Sequence, residues 1–257
     1  MRALVPAILI AGVVFALGGC GASVNLPQAG RLTGGLPGAQ PSSSAPRKAK
    51  FNPFEDQSET AAGRRVVIQN PTIAQVMQTG ALPERALGRA DAPVTIIKYA
   101  SLTCPYCRKF HLETFPVLKR EYIDTGKVRF IVREFPIGFQ SGAATIALRC
   151  APADKYFALY GKFLSQQNRW VSQEVRREPI FQVARQVGLT RNAFDACFED
   201  KQLVANLQWV KDRGRTLGVI GTPNFFVNGK LYKRVLTMHD IHKMVAKALS
   251  RPVANRR

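Results

Sequence analysis

Two cysteines two residues apart carry the clearest chemistry in this chain: Cys104 and Cys107, in Ser101-Leu102-Thr103-Cys104-Pro105-Tyr106-Cys107-Arg108-Lys109-Phe110. Thiols at this spacing can make and break a disulfide, or supply half of a zinc site. Exchange requires that the first thiol ionise and that the second lie close enough to attack a mixed disulfide formed at the first. Zinc requires two more ligands, and no second Cys-x-x-Cys or His-x-x-His stands at metal spacing.

The neighbouring segments say where the pair sits. Val94-Thr95-Ile96-Ile97-Lys98-Tyr99, rich in β-branched and aromatic residues and preceded by Ala92-Pro93, reads as a buried strand. His111 to Tyr122 then places Phe115, Leu118 and Tyr122 on one helical face. The cysteines therefore fall at a strand-to-helix turn, where unpaired amides and the positive end of the helix dipole favour a thiolate. Cys104 is the expected nucleophile and Cys107, one turn further in, the resolving thiol.

After the turn Asp124-Thr125-Gly126-Lys127, the run Val128 to Phe135 reads as a second strand, and a right-handed β-α-β crossover makes the two strands parallel. Some seventy-five helical residues follow. Ala144, Ala147 and Leu148 keep helical spacing up to Cys150, as do Ile180, Ala184 and Val187 before Gly188. Thr190 caps a helix bearing Phe194, Cys197 and Phe198, and a further helix runs near Asn206 to Leu217. Phe225-Phe226-Val227 entering Asn228-Gly229 is a hairpin signal, with Leu231 to Val235 as the returning strand. Thr237 and Asp240 cap a last helix with Ile241, Met244, Val245, Ala248 and Leu249 inward. The expected fold is α/β with an inserted helical subdomain at about residues 138–217.

The chain has 257 residues, 46% of them apolar, and a net charge of +20. One of those charges lies in residues 1–20 and three in residues 21–85, which leaves sixteen on residues 86–257. The basic residues are scattered without a nucleic-acid motif, so a solvated basic face is expected and nucleic acid is not. Met1-Arg2 and the apolar Ala3 to Leu17 read as an export signal, ending in Leu17-Gly18-Gly19-Cys20. That ending resembles the bacterial lipobox, which implies cleavage and lipidation at Cys20; ordinary cleavage nearby, giving a soluble periplasmic protein, is the alternative. Residues 21–63, rich in Gly, Pro and Ser, read as a flexible tether with a reach of roughly 35 Å. Residues 64–85 read as a short ordered extension that either packs on the domain or joins copies into a homo-oligomer. The folded domain is assigned to residues 86–257.

Cys104-Pro105-Tyr106-Cys107 after a strand, a long helical insertion, and Gly221-Thr222-Pro223-x-Phe225-Phe226-Val227-Asn228-Gly229, in that order, resemble the DsbA-like branch of the thioredoxin superfamily. These are thiol:disulfide oxidoreductases of the bacterial cell envelope, and the likeness covers about residues 86–250. It implies a thioredoxin-like fold and disulfide formation in reduced, exported proteins through Cys104 and Cys107. It also implies a cis Thr222–Pro223 bond beside Cys104, with Pro105, Tyr106, Thr222 and Pro223 meeting substrate. A membrane redox partner that reoxidises the pair is implied, and no metal or organic cofactor. Pro105-Tyr106 resembles the dipeptide of glutaredoxins and lacks the histidine of strongly oxidising relatives. Family members often carry a buried glutamate six residues before the nucleophile, where this chain has Lys98. Lys98 either tunes the site or is a strand-end lysine reaching solvent.

Of the remaining cysteines, Cys150 and Cys197 are assigned to a structural disulfide, as expected of an exported protein and as some relatives have; reduced core thiols are the alternative. His111, His239 and His242 read as surface or helix-end residues. A disulfide isomerase or reductase with the same site, or a peptide-binding chaperone module without redox turnover, are the other functions this sequence allows.

Overall fold

The computed structural model describes residues 66–250. The export signal, the Cys20 lipidation site, the tether 21–63 and the first two residues of the extension lie outside the described residues.

Five strands form one mixed sheet in the order β1-β3-β2-β4-β5. They are β1 (Arg85–Leu87), β2 (Val94–Ala100), β3 (Val128–Glu134), β4 (Asn224–Val227) and β5 (Lys230–Tyr232). β2 and β3 pair in parallel from Val94↔Val128 to Ala100↔Glu134, as the crossover requires, and the other pairings are antiparallel. Only a strand covered on both faces can be buried at almost every position, and β2 and β3 are buried at all but one residue each. Alternation along β2 sends Val94, Ile96 and Ala100 into the larger core and Ile97 and Tyr99 into the smaller. Lys98 therefore faces the same side as Ile96.

The β2–β3 crossover is one rod. It begins with α2 (Pro105–Lys109), passes through a π-helical turn at Phe110–Thr114, then α3 (Phe115–Leu118), and ends in a second π turn at Lys119–Ile123. Pro116 lacks the amide that a continuous α-helix would use, and the π turn before it absorbs that gap. Leu118 is buried while Phe115 and Tyr122 are half-buried.

Between β3 and β4 the chain inserts α4 (Phe139–Cys150), α5 (Tyr156–Ser165), α6 (Gln167–Trp170), α7 (Arg177–Ala184), α8 (Arg191–Glu199) and α9 (Lys201–Thr216). Thr190 caps α8 through Ala193 N, as its position suggests. α9 starts five residues before the expected Asn206, because the Asp200 carboxylate accepts from Leu203 N and caps the helix there. Leu231 to Val235 is not a full strand: β5 ends at Tyr232, Arg234 turns to bind the Asp240 carboxylate, and the capping box of α10 (Met238–Leu249) starts at Thr237. The turn between β4 and β5 has positive φ at both Asn228 and Gly229, which the Asn-Gly pair permits.

The extension lies on the domain. α1 (Ile73–Met77) is closed by a Thr72–Gln75 capping box and buries Val76 in the smaller core. Arginines hold its carbonyls: Arg133 donates to Val76 O and Met77 O, Arg213 to Gln75 O, and Arg149 to Pro83 O. Arg85–Leu87 then adds an edge strand antiparallel to β3.

Candidate active site

Cys104 is the N-cap of α2 and Pro105 its first residue, where a missing amide costs nothing. The Cys104 sulfur accepts from Cys107 N at 3.4 Å and lies 3.1 Å from the Thr222 carbonyl, to which its S–H donates. Both cysteines are free thiols; Cys104 is partly exposed and Cys107 fully buried. A hydrogen bond from the Cys107 thiol, with the amides of Cys107 and Tyr106, outweighs desolvation and holds Cys104 at about 5. Burial, and the bond it donates to Cys104, push Cys107 well above the ordinary thiol range. One sulfur is thus primed as a thiolate at neutral pH and the other stays protonated until used.

Thr222–Pro223 is cis, and Pro223 is buried where β4 begins. Tyr106 and Ile220 stand out into solvent, and so does Ile137, whose carbonyl accepts from Thr103. Lys98 is 1% exposed, so it is not a strand-end lysine reaching solvent. Its amine donates to Cys107 O at 3.3 Å and lies 4.5 Å from the centre of the Phe110 ring. His239 and His242 are exposed, the latter 3.2 Å from Glu121. His111 departs from the surface position expected of it. It is half-buried, stacked on Phe115 and edge-on to Tyr160, and burial together with the Lys98 charge holds it at about 4.

Cys150 and Cys197 form a disulfide that joins the end of α4 to α8, with 6.2 Å between their Cα atoms. It lies in the insertion and shares no contact with the Cys104 sulfur.

Several residues that position the loop carry no local sequence signal. Ser101 and Ser141 share a 2.7 Å hydrogen bond, and the Ser141 hydroxyl also accepts from Leu102 N. Gln167 of α6 donates to both Leu102 O and Cys104 O. Beneath them Glu134 accepts from Arg149 at 2.8 Å and from the Tyr156 hydroxyl at 2.7 Å, all three side chains buried. The insertion thereby grips the backbone on both sides of the nucleophile. Among the described residues no three His, Cys, Asp or Glu side chains gather as a metal ion would need.

The family model described as "Thioredoxin" matches residues 81–247. A Rickettsia bellii protein named as a protein-disulfide oxidoreductase is 32% identical over 177 residues, 66% of this chain and 67% of that one. The chain thus spans about two thirds of that relative's length. A Bacillus anthracis protein named for disulfide bond formation is 29% identical over 156 residues, 58% of this chain and 71% of that one. The crystal structure of Wolbachia pipientis α-DsbA1 superposes with a TM-score of 0.61 at 27% identity, covering 68% of this chain and 98% of that one.

Proposed function

The chain belongs to the thioredoxin family, in its DsbA-like branch, and on that premise we propose that it is a thiol:disulfide oxidoreductase that donates disulfides to reduced exported proteins. The observation that carries this reading is the unequal pair: Cys104 partly exposed and held at about 5, Cys107 buried and protonated behind it. In the oxidised protein a substrate thiolate attacks the Cys104 sulfur, breaks the Cys104–Cys107 bond and expels Cys107. A second substrate thiolate then attacks its own partner sulfur and expels Cys104. The substrate loses two electrons and the pair gains two. Cys104 leaves readily because its thiolate is stable, which favours donation over reduction of substrate. A membrane-bound disulfide partner then takes the two electrons back.

Pro105, Tyr106 and Thr222, with the exposed Ile220 and Ile137, form the surface that meets an unfolded segment, whose backbone pairs with Thr222 above the buried Pro223. The protein acts in the cell envelope, tethered by a lipid on Cys20 at the end of residues 21–63. The test is to mix the oxidised protein with a reduced, unfolded disulfide protein under anaerobic conditions. The expected result is stoichiometric return of the substrate's activity, lost in both Cys104→Ala and Cys107→Ala, neither of which can hold the disulfide to be donated. No return of activity with the native pair would overturn the reading.

A further inference from the structure

The rim of the Cys104 loop is basic and has no carboxylate of its own. Four segments surround the sulfur, residues 101–110, 135–141, 166–173 and 218–224, and they are joined through the Thr103–Ile137, Gln167–Cys104 and Cys104–Thr222 hydrogen bonds. None of them contains Asp or Glu, while they hold Arg108, Lys109 and Arg169. Arg108 follows the nucleophile by one turn of α2, its amide donating to Cys104 O, and is exposed. Arg169 lies on α6 two residues after Gln167, which holds Cys104 O, and is exposed as well. Arg176 continues the rim: its amide donates to Gln140 of α4, whose side chain also binds Trp170 O.

Over much of the surface the exposed cations are answered. Arg89 pairs with Asp91, Lys119 with Asp124, Arg120 with Glu121, Arg191 with Glu178 and Arg234 with Asp240. Among the described residues no carboxylate pairs with Arg108, Arg169 or Arg176; the nearest along the chain are Glu113, 4.0 Å from Lys109, and Glu174. These cations do not serve the sulfur either, since no lysine or arginine figures among the groups that hold Cys104 low. What they border is apolar: Tyr106, Ile137, Phe139 and Ile220 all stand exposed. A lipid surface offers phosphate and hydrocarbon together but no thiol for the sulfur at the centre of the ring. A polypeptide with acidic and apolar side chains around a cysteine offers all three.

We propose that this face selects reduced segments in which Asp or Glu flanks the cysteine beside an apolar residue, with Arg108 and Arg169 as the cations that determine the preference. The inference rests on the oxidoreductase reading and deepens it by naming the substrate class. Acidic neighbours hold a cysteine thiol protonated in water and so slow its exchange. An arginine brought beside the carboxylate removes that penalty as the thiol proton passes to water and the thiolate forms. The thiolate sulfur then bonds to Cys104, the Cys104–Cys107 bond breaks, and Cys107 leaves with the electron pair. Because both arginines are exposed, the preference belongs to the approach of substrate and is sensitive to salt.

The test uses dithiol peptides of one sequence whose cysteines are flanked by Leu and by Glu, Gln or Lys. The oxidised full-length protein converts each to its disulfide. Each second-order rate is divided by that of the same peptide with hydroxyethyl disulfide, a neutral reagent that senses only the ionisation of the peptide thiol. The normalised rate for the Glu peptide should exceed that for the Lys peptide by about tenfold at low ionic strength, the lower end of electrostatic steering, with the Gln peptide between them. The ratio should approach unity in about 1 M salt, where the screening length is about 3 Å. It should also collapse in Arg108→Gln/Arg169→Gln. It should persist in Lys243→Gln/Lys247→Gln, which removes the same charge from exposed positions of α10, a helix packed on α3 past the first π turn of the rod. Equal normalised rates in the native protein overturn the proposal, and so does a ratio that survives in the arginine variant or is lost equally in the α10 variant. Equal rates together with binding of phosphatidylglycerol vesicles that needs Arg108 and Arg169 assign the cations to a lipid surface and overturn it too. A native protein that oxidises none of the peptides contradicts the oxidoreductase reading instead.

Discussion

At Cys104 a single sulfur gathers the Cys107 thiol and two helix amides, and these outweigh the desolvation that opposes ionisation. Its alkylation rate by iodoacetamide should therefore be half-maximal at about pH 5 and flat above pH 7, with mass spectrometry placing the label on Cys104 and leaving the buried Cys107 unlabelled. A midpoint near the ordinary value of 9 would contradict the geometry. The same shift has a sign for stability. The folded value lies below the unfolded one, so ionisation stabilises the reduced protein in a window from about pH 5, where the contribution is lost, to pH 9, where it is complete. Cys107, pushed up, works the other way only beyond pH 9. The Tm of the reduced form relative to the oxidised form should rise from pH 5 to pH 8 in scanning calorimetry. These residues were legible in the sequence because strand, spacing and helix start are local. Ser141 and Gln167 were not, since each meets the Cys104 loop only across a sequence separation of 39 or 65.

At the scale of elements, the insertion is stapled and then locked to the sheet. The Cys150–Cys197 bond spans 47 residues, which in the chain-entropy picture is worth about 4 kcal/mol. Replacing both by serine should lower the guanidinium unfolding free energy by about that much, while leaving the Cys104 alkylation midpoint in place. The Glu134–Arg149 pair is buried on both sides, so Glu134→Gln strands a buried guanidinium and should cost about 3–5 kcal/mol by the same unfolding measurement. Gly214 of α9 faces Tyr99, whose ring carbon would lie 2.6 Å from an added Cβ. Alanine gains about 1 kcal/mol of helix propensity there. Tyr99, however, is fully buried, held by Arg133 at its hydroxyl and set edge-on to Phe135 and Phe226. The clash should win, and Gly214→Ala should lower Tm. The caps at Thr190 and Thr237 and the Asn228-Gly229 turn could be read in advance because each is complete within four residues. The π turns around Pro116 and the early start of α9 could not, because the first depends on how a rod accommodates a proline and the second on one aspartate among several polar residues.

For the whole molecule, the extension, sheet and insertion meet through arginines. Arg133, Arg149 and Arg213 each reach from β3, α4 or α9 to carbonyls of residues 75–83. Part of the large positive charge is therefore structural, which composition alone cannot distinguish from a solvated face. Among the described residues no helix is long and apolar enough to cross a membrane. The molecular property on which the proposed function turns is the poise of the Cys104–Cys107 pair, measured by equilibrating the purified protein against glutathione at fixed pH. A thiolate held at about 5 stabilises the reduced pair, so a potential near about −120 mV, at the oxidising end of the range, is expected. A potential near about −270 mV would contradict a disulfide donor and make this protein a reductase on the same fold.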